Sequence, residues 1–181
     1  GFYVPLTRDN GLRLNLDLGG AFYASHSEYN HFFLSPSGGN SFEFYAETKN
    51  WQFRIRDNFN LSTSPIVYGQ SQDQEVRLFQ NDIMLAADGD YNKLVLGFSY
   101  GHGLVYYFTA NFDDLNSQTD RANAYIGYKT SENLILGVNY DISYTYYQED
   151  RHNDGWYQGL SAYAQFVLSP YLNGRISAGY G

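Results

Sequence analysis

From Leu134 to Tyr146 apolar and polar residues alternate with hardly a break. Leu134, Leu136, Val138, Tyr140, Ile142, Tyr144 and Tyr146 share one parity; Gly137, Asn139, Asp141, Ser143 and Thr145 share the other. Successive side chains of a strand point to opposite faces, so this pattern is a β-strand with one greasy and one wet face. The same period recurs and predicts strands over Leu12–Ala24, Ser41–Thr48, Trp51–Leu61, Val76–Ala87, Lys93–Phe108, Ala122–Lys129, Leu134–Tyr147, Tyr157–Leu168 and Leu172–Tyr180. Glycine, β-branched and aromatic residues dominate these segments, and no window carries a helical period.

The connections alternate between short and long. Tight turns are predicted at Lys49–Asn50, Asp88–Asn92, Thr130–Asn133 and Ser169–Tyr171, and long polar loops at Ser25–Asn40, Ser62–Glu75, Thr109–Arg121 and Gln148–Trp156. That is an up-and-down antiparallel meander whose two ends face different environments, an asymmetry built into outer-membrane barrels. Strand length agrees. The 13 residues from Leu134 to Tyr146 extend roughly 40 Å at about 3.3 Å per residue. Tilted by roughly 45°, they project to about 30 Å, the thickness of a bilayer core.

A soluble barrel would turn its Leu, Val, Ile and Phe inward. The polar parity argues for the inverse arrangement. It holds Asn15, Asp17, Glu43, Arg54, Arg56, Asp82, Asn139 and Asp141, short amides and charges of both signs with hardly any lysine. A solvated sheet surface would use Lys and Glu freely. These residues suit a crowded polar lumen and are the expected pore lining. Trp51 and Tyr128 stand beside tight turns, while Tyr100, Tyr140, Tyr144 and Tyr146 lie on the apolar parity toward the loop end. They are the expected aromatic girdles, facing lipid. Asp57 shares the parity of Phe53, Ile55 and Phe59; a bulge near Arg56–Asn58, or a position above the hydrocarbon, would accommodate it.

Composition narrows the function classes. The 181 residues suffice for one domain, residues 1–181, expected to be a single transmembrane barrel domain. Aromatic residues make up 19% of the chain, yet no run of about 18 apolar residues occurs, so a spanning helix is excluded. There is no cysteine, which removes disulfides, thiolate metal sites and cysteine nucleophiles. A formal charge of -8 argues against nucleic acid as a partner. The nine predicted strands are an odd number, whereas single-chain bacterial barrels close with an even one. Either Gly1–Leu6 (GFYVPL) supplies a tenth strand or the chain is a segment of a longer protein, and a truncated chain is the expectation.

Four stretches carry a resemblance: WQFRIRDNFNLSTSP (Trp51–Pro65), NDIMLAADGDYNKLVLGFSYGHG (Asn81–Gly103), YKTSENLILGVNYDISYTYY (Tyr128–Tyr147) and QFVLSPYLNGRISAGYG (Gln165–Gly181). Together they resemble the Gram-negative outer-membrane β-barrel, porin-like families, in pattern and without a signature motif. The resemblance implies an exported, membrane-embedded barrel in the bacterial outer membrane, with a solute-conducting or structural role. It implies lipids and lipopolysaccharide as surroundings, and other envelope proteins or further copies of the chain as partners.

Catalytic and metal chemistry has little support. DGDYN (Asp88–Asn92) has the acidic spacing of a calcium loop, but Lys93 and Ser99 stand where Gly and Glu are needed, so a polar turn is expected. The loop acids Asp113, Asp114, Asp120, Glu149, Asp150 and Asp154 are expected to be solvated charge. Of the histidines, His26, His31 and His152 fall in loops and His102 lies between glycines near a strand end. A hydrolytic pair with Ser99 fails on parity, because the two side chains point to opposite faces. No enzymatic activity, cofactor or metal is expected. The expected function is passive diffusion of small solutes or ions through a polar lumen. A non-conducting anchor or adhesin barrel is the alternative, and a soluble barrel holding an apolar ligand follows if the two faces are exchanged.

Overall fold

The computed structural model describes residues 1–22, 24, 25, 27, 30–34, 40–66, 74–148, 153–169 and 172–181. Its strands are β1 (Phe2–Pro5), β2 (Asn10–Asn15), β3 (Leu18–Ala21), β4 (His31–Leu34), β5 (Ser41–Glu47), β6 (Trp51–Ile66), β7 (Gln74–Tyr91), β8 (Leu94–Tyr107), β9 (Ser117–Ser131), β10 (Leu134–Tyr147), β11 (Gly155–Ser169) and β12 (Leu172–Tyr180). A short 3₁₀ helix, Ala110–Leu115, joins β8 to β9. The expected all-β, up-and-down antiparallel architecture is present. Pairing runs β1-β2-β5-β6-β7-β8-β9-β10-β11-β12, with the β3–β4 hairpin to one side, touching β6 through Leu34 and Leu61.

The tight turns gather at one end of the sheet. Tyr91 pairs with Leu94 around Asn92 and Lys93, and Ser131 pairs with Leu134 around Glu132 and Asn133. Asn92 takes a positive φ of 46°, which asparagine tolerates better than most residues. The DGDYN turn is thus shorter than expected. Asp88, Asp90 and Tyr91 belong to β7, because their side chains continue the alternation of the ladder and find partners on it.

Other boundaries also differ from the sequence expectation. Gly1–Leu6 does supply a strand: β1 pairs with β2. The expected strand Leu12–Ala24 divides into β2, which pairs with β5, and β3, which pairs with β4. Leu16 keeps the parity of Leu14, so periodicity cannot register that the two halves take different partners. The backbone N–H of Asp17 leaves the ladder and donates to the side-chain oxygen of Asn40 at 2.6 Å. β4 forms inside the expected loop Ser25–Asn40. Strand β9 starts at Ser117 instead of Ala122, paired with both β8 and β10. Its first residues, Ser117 to Arg121, are polar on both faces, so they carry no alternation to reveal a strand. His26, Glu149, Asp150 and His152 lie outside the described residues, as do residues 67–73 of the expected loop Ser62–Glu75, whose two ends instead continue β6 to Ile66 and open β7 at Gln74.

Residues paired across an antiparallel ladder share a face, so the register divides the sheet into two sides. One side collects Phe44, Ile55, Leu85, Phe98, Ile126, Val138 and Leu160, and all of these but the half-buried Phe44 are exposed, with Phe98 54% and Leu160 59% accessible. The other side is polar and more closely packed. Tyr163 on that side is only 5% accessible. Ordinary globular domains bury the apolar face; here the relation is inverted.

Candidate functional site

The polar face is stitched by side chains that reach across an intervening strand. Arg121 on β9 forms an ion pair with Asp82 on β7, passing over β8. Tyr125 on β9 donates to Asp88 on β7 at 2.8 Å. Lys129 on β9 reaches Asp90 on β7 at 2.6 Å. Strand β8 allows this because its polar-side positions include Gly97 and Gly101. A Cβ at Gly101 would stand 2.8 Å from Arg121 Nε, and one at Gly97 would overlap the Tyr125 ring. The stretch GFSYGHG therefore lays a floor low enough for its neighbours to cross.

A second group lies on β9 and β10. Asn123 donates to Asn139 at 2.8 Å and to Asp141 at 2.7 Å, and Asn139 donates in turn to Asp141. Among the described residues no cation pairs with Asp141. Towards β5, Arg56 holds Glu43 through its Nε at 2.8 Å, and Arg54 approaches Asp88 at 3.7 Å. At the β11–β12 side the Arg175 guanidinium lies 4.0 Å above the Tyr163 ring, a cation–π arrangement.

Register places the expected lining residues Asn15, Glu43, Arg54, Arg56, Asp82, Asn139 and Asp141 together on this face. Asp17 departs from the set, since it lies in the connection between β2 and β3 and is exposed. Sequence reasoning missed Arg121, Tyr125, Lys129 and Asp88. Their parity is legible, but the expected loop Thr109–Arg121 and the expected turn Asp88–Asn92 take Arg121 and Asp88 off the strands.

The six expected girdle residues all stand on the apolar face. At the turn end Trp51 donates its indole N–H to Tyr91 at 2.5 Å, with Tyr128 nearby in the next register row. At the loop end the Tyr144 ring packs against Trp156 at 4.6 Å between ring centroids, tilted by 35°, and its hydroxyl donates to Asp154 at 2.8 Å. Tyr91 and Trp156 share this face, although the alternation does not single them out.

Asp57 lies on the apolar face without a bulge: the β6–β7 register runs unbroken from Arg56 through Asp57 to Asn58. Its row continues through Ile83, His102, Asp120 and Tyr144, the loop-side margin of the apolar band. There Asn81 donates to Asp57 at 2.5 Å, and Asp120 takes hydrogen bonds from Tyr100 at 2.5 Å and from His102 Nδ1 at 2.9 Å. His102 thus stands on the face opposite Ser99, as parity required.

This sheet, polar on one face and apolar on the other, can be set beside solved structures. OmpT, folded in vitro, an outer membrane protein of Vibrio cholerae, superposes with a TM-score of 0.60 over 94% of this chain and 52% of its own, at 8% identity. The fold is similar to that of an outer-membrane barrel. The chain spans about half the length of that protein. No protein-family model and no curated protein matches the sequence.

Proposed function

We propose that the chain is the barrel wall of an outer-membrane, porin-like protein, with its apolar face in lipid and its polar face lining a path for small solutes or ions. One observation carries this reading: the large apolar residues are exposed together on one face, while charged and amide side chains form the packed network on the other. A contiguous apolar surface beyond about 300–600 Å² is atypical of a soluble monomer and marks a membrane or partner contact. Charged and amide residues on the opposite face give a permeating ion or solute polar partners along its path. The whole described chain acts as one domain, surrounded by outer-membrane lipids and lipopolysaccharide.

We read the protein as a diffusion channel and not an enzyme. Tyr100 and His102 share Asp120 on the outer margin, and Ser99 points the other way. Planar-bilayer recording of protein refolded from detergent tests the function. Stepwise conductance is expected. Insertion, judged by heat-modifiable gel migration and protection from protease in vesicles, without conductance would favour an anchor over a channel.

A further inference from the structure

On β6 and β9 each cation of the polar face meets an acid: Arg54 approaches Asp88, Arg56 holds Glu43, Arg121 pairs with Asp82 and Lys129 reaches Asp90. Asp141, on β10, meets no cation among the described residues. Its carboxylate takes one hydrogen bond on each oxygen, from Asn123 at 2.7 Å and from Asn139. A carboxylate can accept about four, so capacity remains.

Asp141 opens on a recess of about 410 Å³, within the range of about 300–1,000 Å³ usual for small-molecule sites. Met84, Ser99, Asn123, Ser143 and Tyr157 share its wall with the bare backbone of Gly101. Arg121 stands at the border, but its guanidinium turns back across β8 to Asp82 on β7, whereas Asp141 lies on the other side of β9. Tyr157 leans over Gly159, with its hydroxyl 2.7 Å from where a Cβ there would stand. Gly159 is the cross-strand partner of Asp141, so an aromatic ring lies beside the carboxylate.

The chemistry of this wall selects among ligands. Both N–H groups of the Asn123 amide are spent, on Asn139 and on Asp141. The polar atoms that remain are the carboxylate and three hydroxyls, which accept as readily as they donate. An anion would face Asp141 and would have to break the Arg121–Asp82 pair to reach a charged donor. A neutral solute would leave the Asp141 charge uncompensated. A bare inorganic cation would leave Met84 and the Tyr157 ring unused. An ammonium group on a hydrocarbon body uses both halves of the wall. Its N–H groups donate to the carboxylate, its charge is attracted to the face of an aromatic ring, and its carbon packs on apolar surface.

We infer that the recess is a subsite for a small organic ammonium ion, its charge held by Asp141 and its hydrocarbon body lodged against Met84 and Tyr157. This rests on the diffusion reading, which puts the polar face on the solute's path, and deepens it by naming a class of solute that pauses there.

The test titrates the full chain, refolded in detergent, with 2-phenylethylammonium, followed by isothermal calorimetry and saturation-transfer NMR. The neutral isostere 2-phenylethanol, the anion 3-phenylpropionate and plain ammonium chloride serve as counterparts. Saturable binding of 2-phenylethylammonium is expected, about tenfold tighter than that of any counterpart. Asp141→Asn is expected to remove the preference over 2-phenylethanol, and Tyr157→Leu to weaken binding severalfold, each with heat-modifiable migration retained. Ser177→Ala, on the same face of β12, is expected to bind as the unaltered protein does. Absence of saturable binding, equal affinity for the alcohol or for plain ammonium, or unchanged affinity in either folded variant would overturn the subsite. Bilayer conductance separates the two ideas. Conductance without saturable binding removes the subsite and keeps the channel, and saturable binding without conductance keeps the subsite and removes the channel.

Discussion

Arg121 and Asp82 sit two strands apart, and their side chains meet over the glycine-bearing stretch of β8. The pair is partly solvated, with side-chain accessibilities of 49% and 37%. Its net contribution should therefore resemble that of exposed ion pairs. A double-mutant cycle with Arg121→Ala and Asp82→Ala, read by urea unfolding in micelles, should give a coupling energy of about 0.2–1 kcal/mol. A coupling several times larger would mean that the pair is shielded from solvent far more than its geometry indicates.

Val138 lies near the middle of the apolar band and is 48% accessible. On a soluble surface Val138→Arg would be nearly neutral. In a bilayer it should destabilise by about 2–4 kcal/mol, and Tyr146→Arg at the loop-side margin by only about 0–1 kcal/mol. Unfolding in lipid vesicles measures both, and equal effects at the two depths would count against a membrane-facing surface.

Gly137 has no room for a side chain. A Cβ there would collide with the Ile126 carbonyl and the Tyr163 ring, whereas nothing lies within 4 Å of the corresponding position at Gly155. The carbonyl belongs to a ladder and cannot swing aside. Gly137→Ala should cost about 1–3 kcal/mol, the usual scale of overpacking. Gly155→Ala should leave the denaturation midpoint unmoved.

The two tryptophans, Trp51 and Trp156, sit at opposite ends of the apolar face. Trp156 is 68% accessible. If that exposure is to lipid, its fluorescence in vesicles should be quenched by lipids brominated high on the acyl chain and little affected by aqueous iodide. Strong iodide quenching of Trp156 would place this face in water.

Asp141 accepts hydrogen bonds from Asn123 and Asn139, and among the described residues it has no cationic partner. On the proposed diffusion reading its charge faces the path of a passing ion. Asp141→Asn should lower the cation preference, seen as a shift of the reversal potential toward the anion side under a salt gradient. Arg54→Glu should shift it the opposite way. Unchanged reversal potentials in both variants would remove these residues from the permeation path.

Much of this is legible in the sequence. Val138 and Asn139 declare opposite faces by adjacency, and the long polar loops declare which end differs from the other. The strand ends were less legible, for a physical reason. At Ser117–Arg121 both faces leave the apolar band, so neither side needs to be greasy and the period disappears. Leu14 and Leu16 show the converse failure, where an unbroken period spans two strands with different partners.

Alternation by itself determined the all-β class, the membership of each face and the asymmetric ends, because side-chain direction along a strand is a local property of the backbone. Only the tertiary structure decided which rows align, and with them the Arg121–Asp82 bridge and the placement of Asp57 in one row with His102 and Asp120. Those follow from register and from reach across a neighbouring strand. A period of two residues carries no information about how far one strand is displaced along the next.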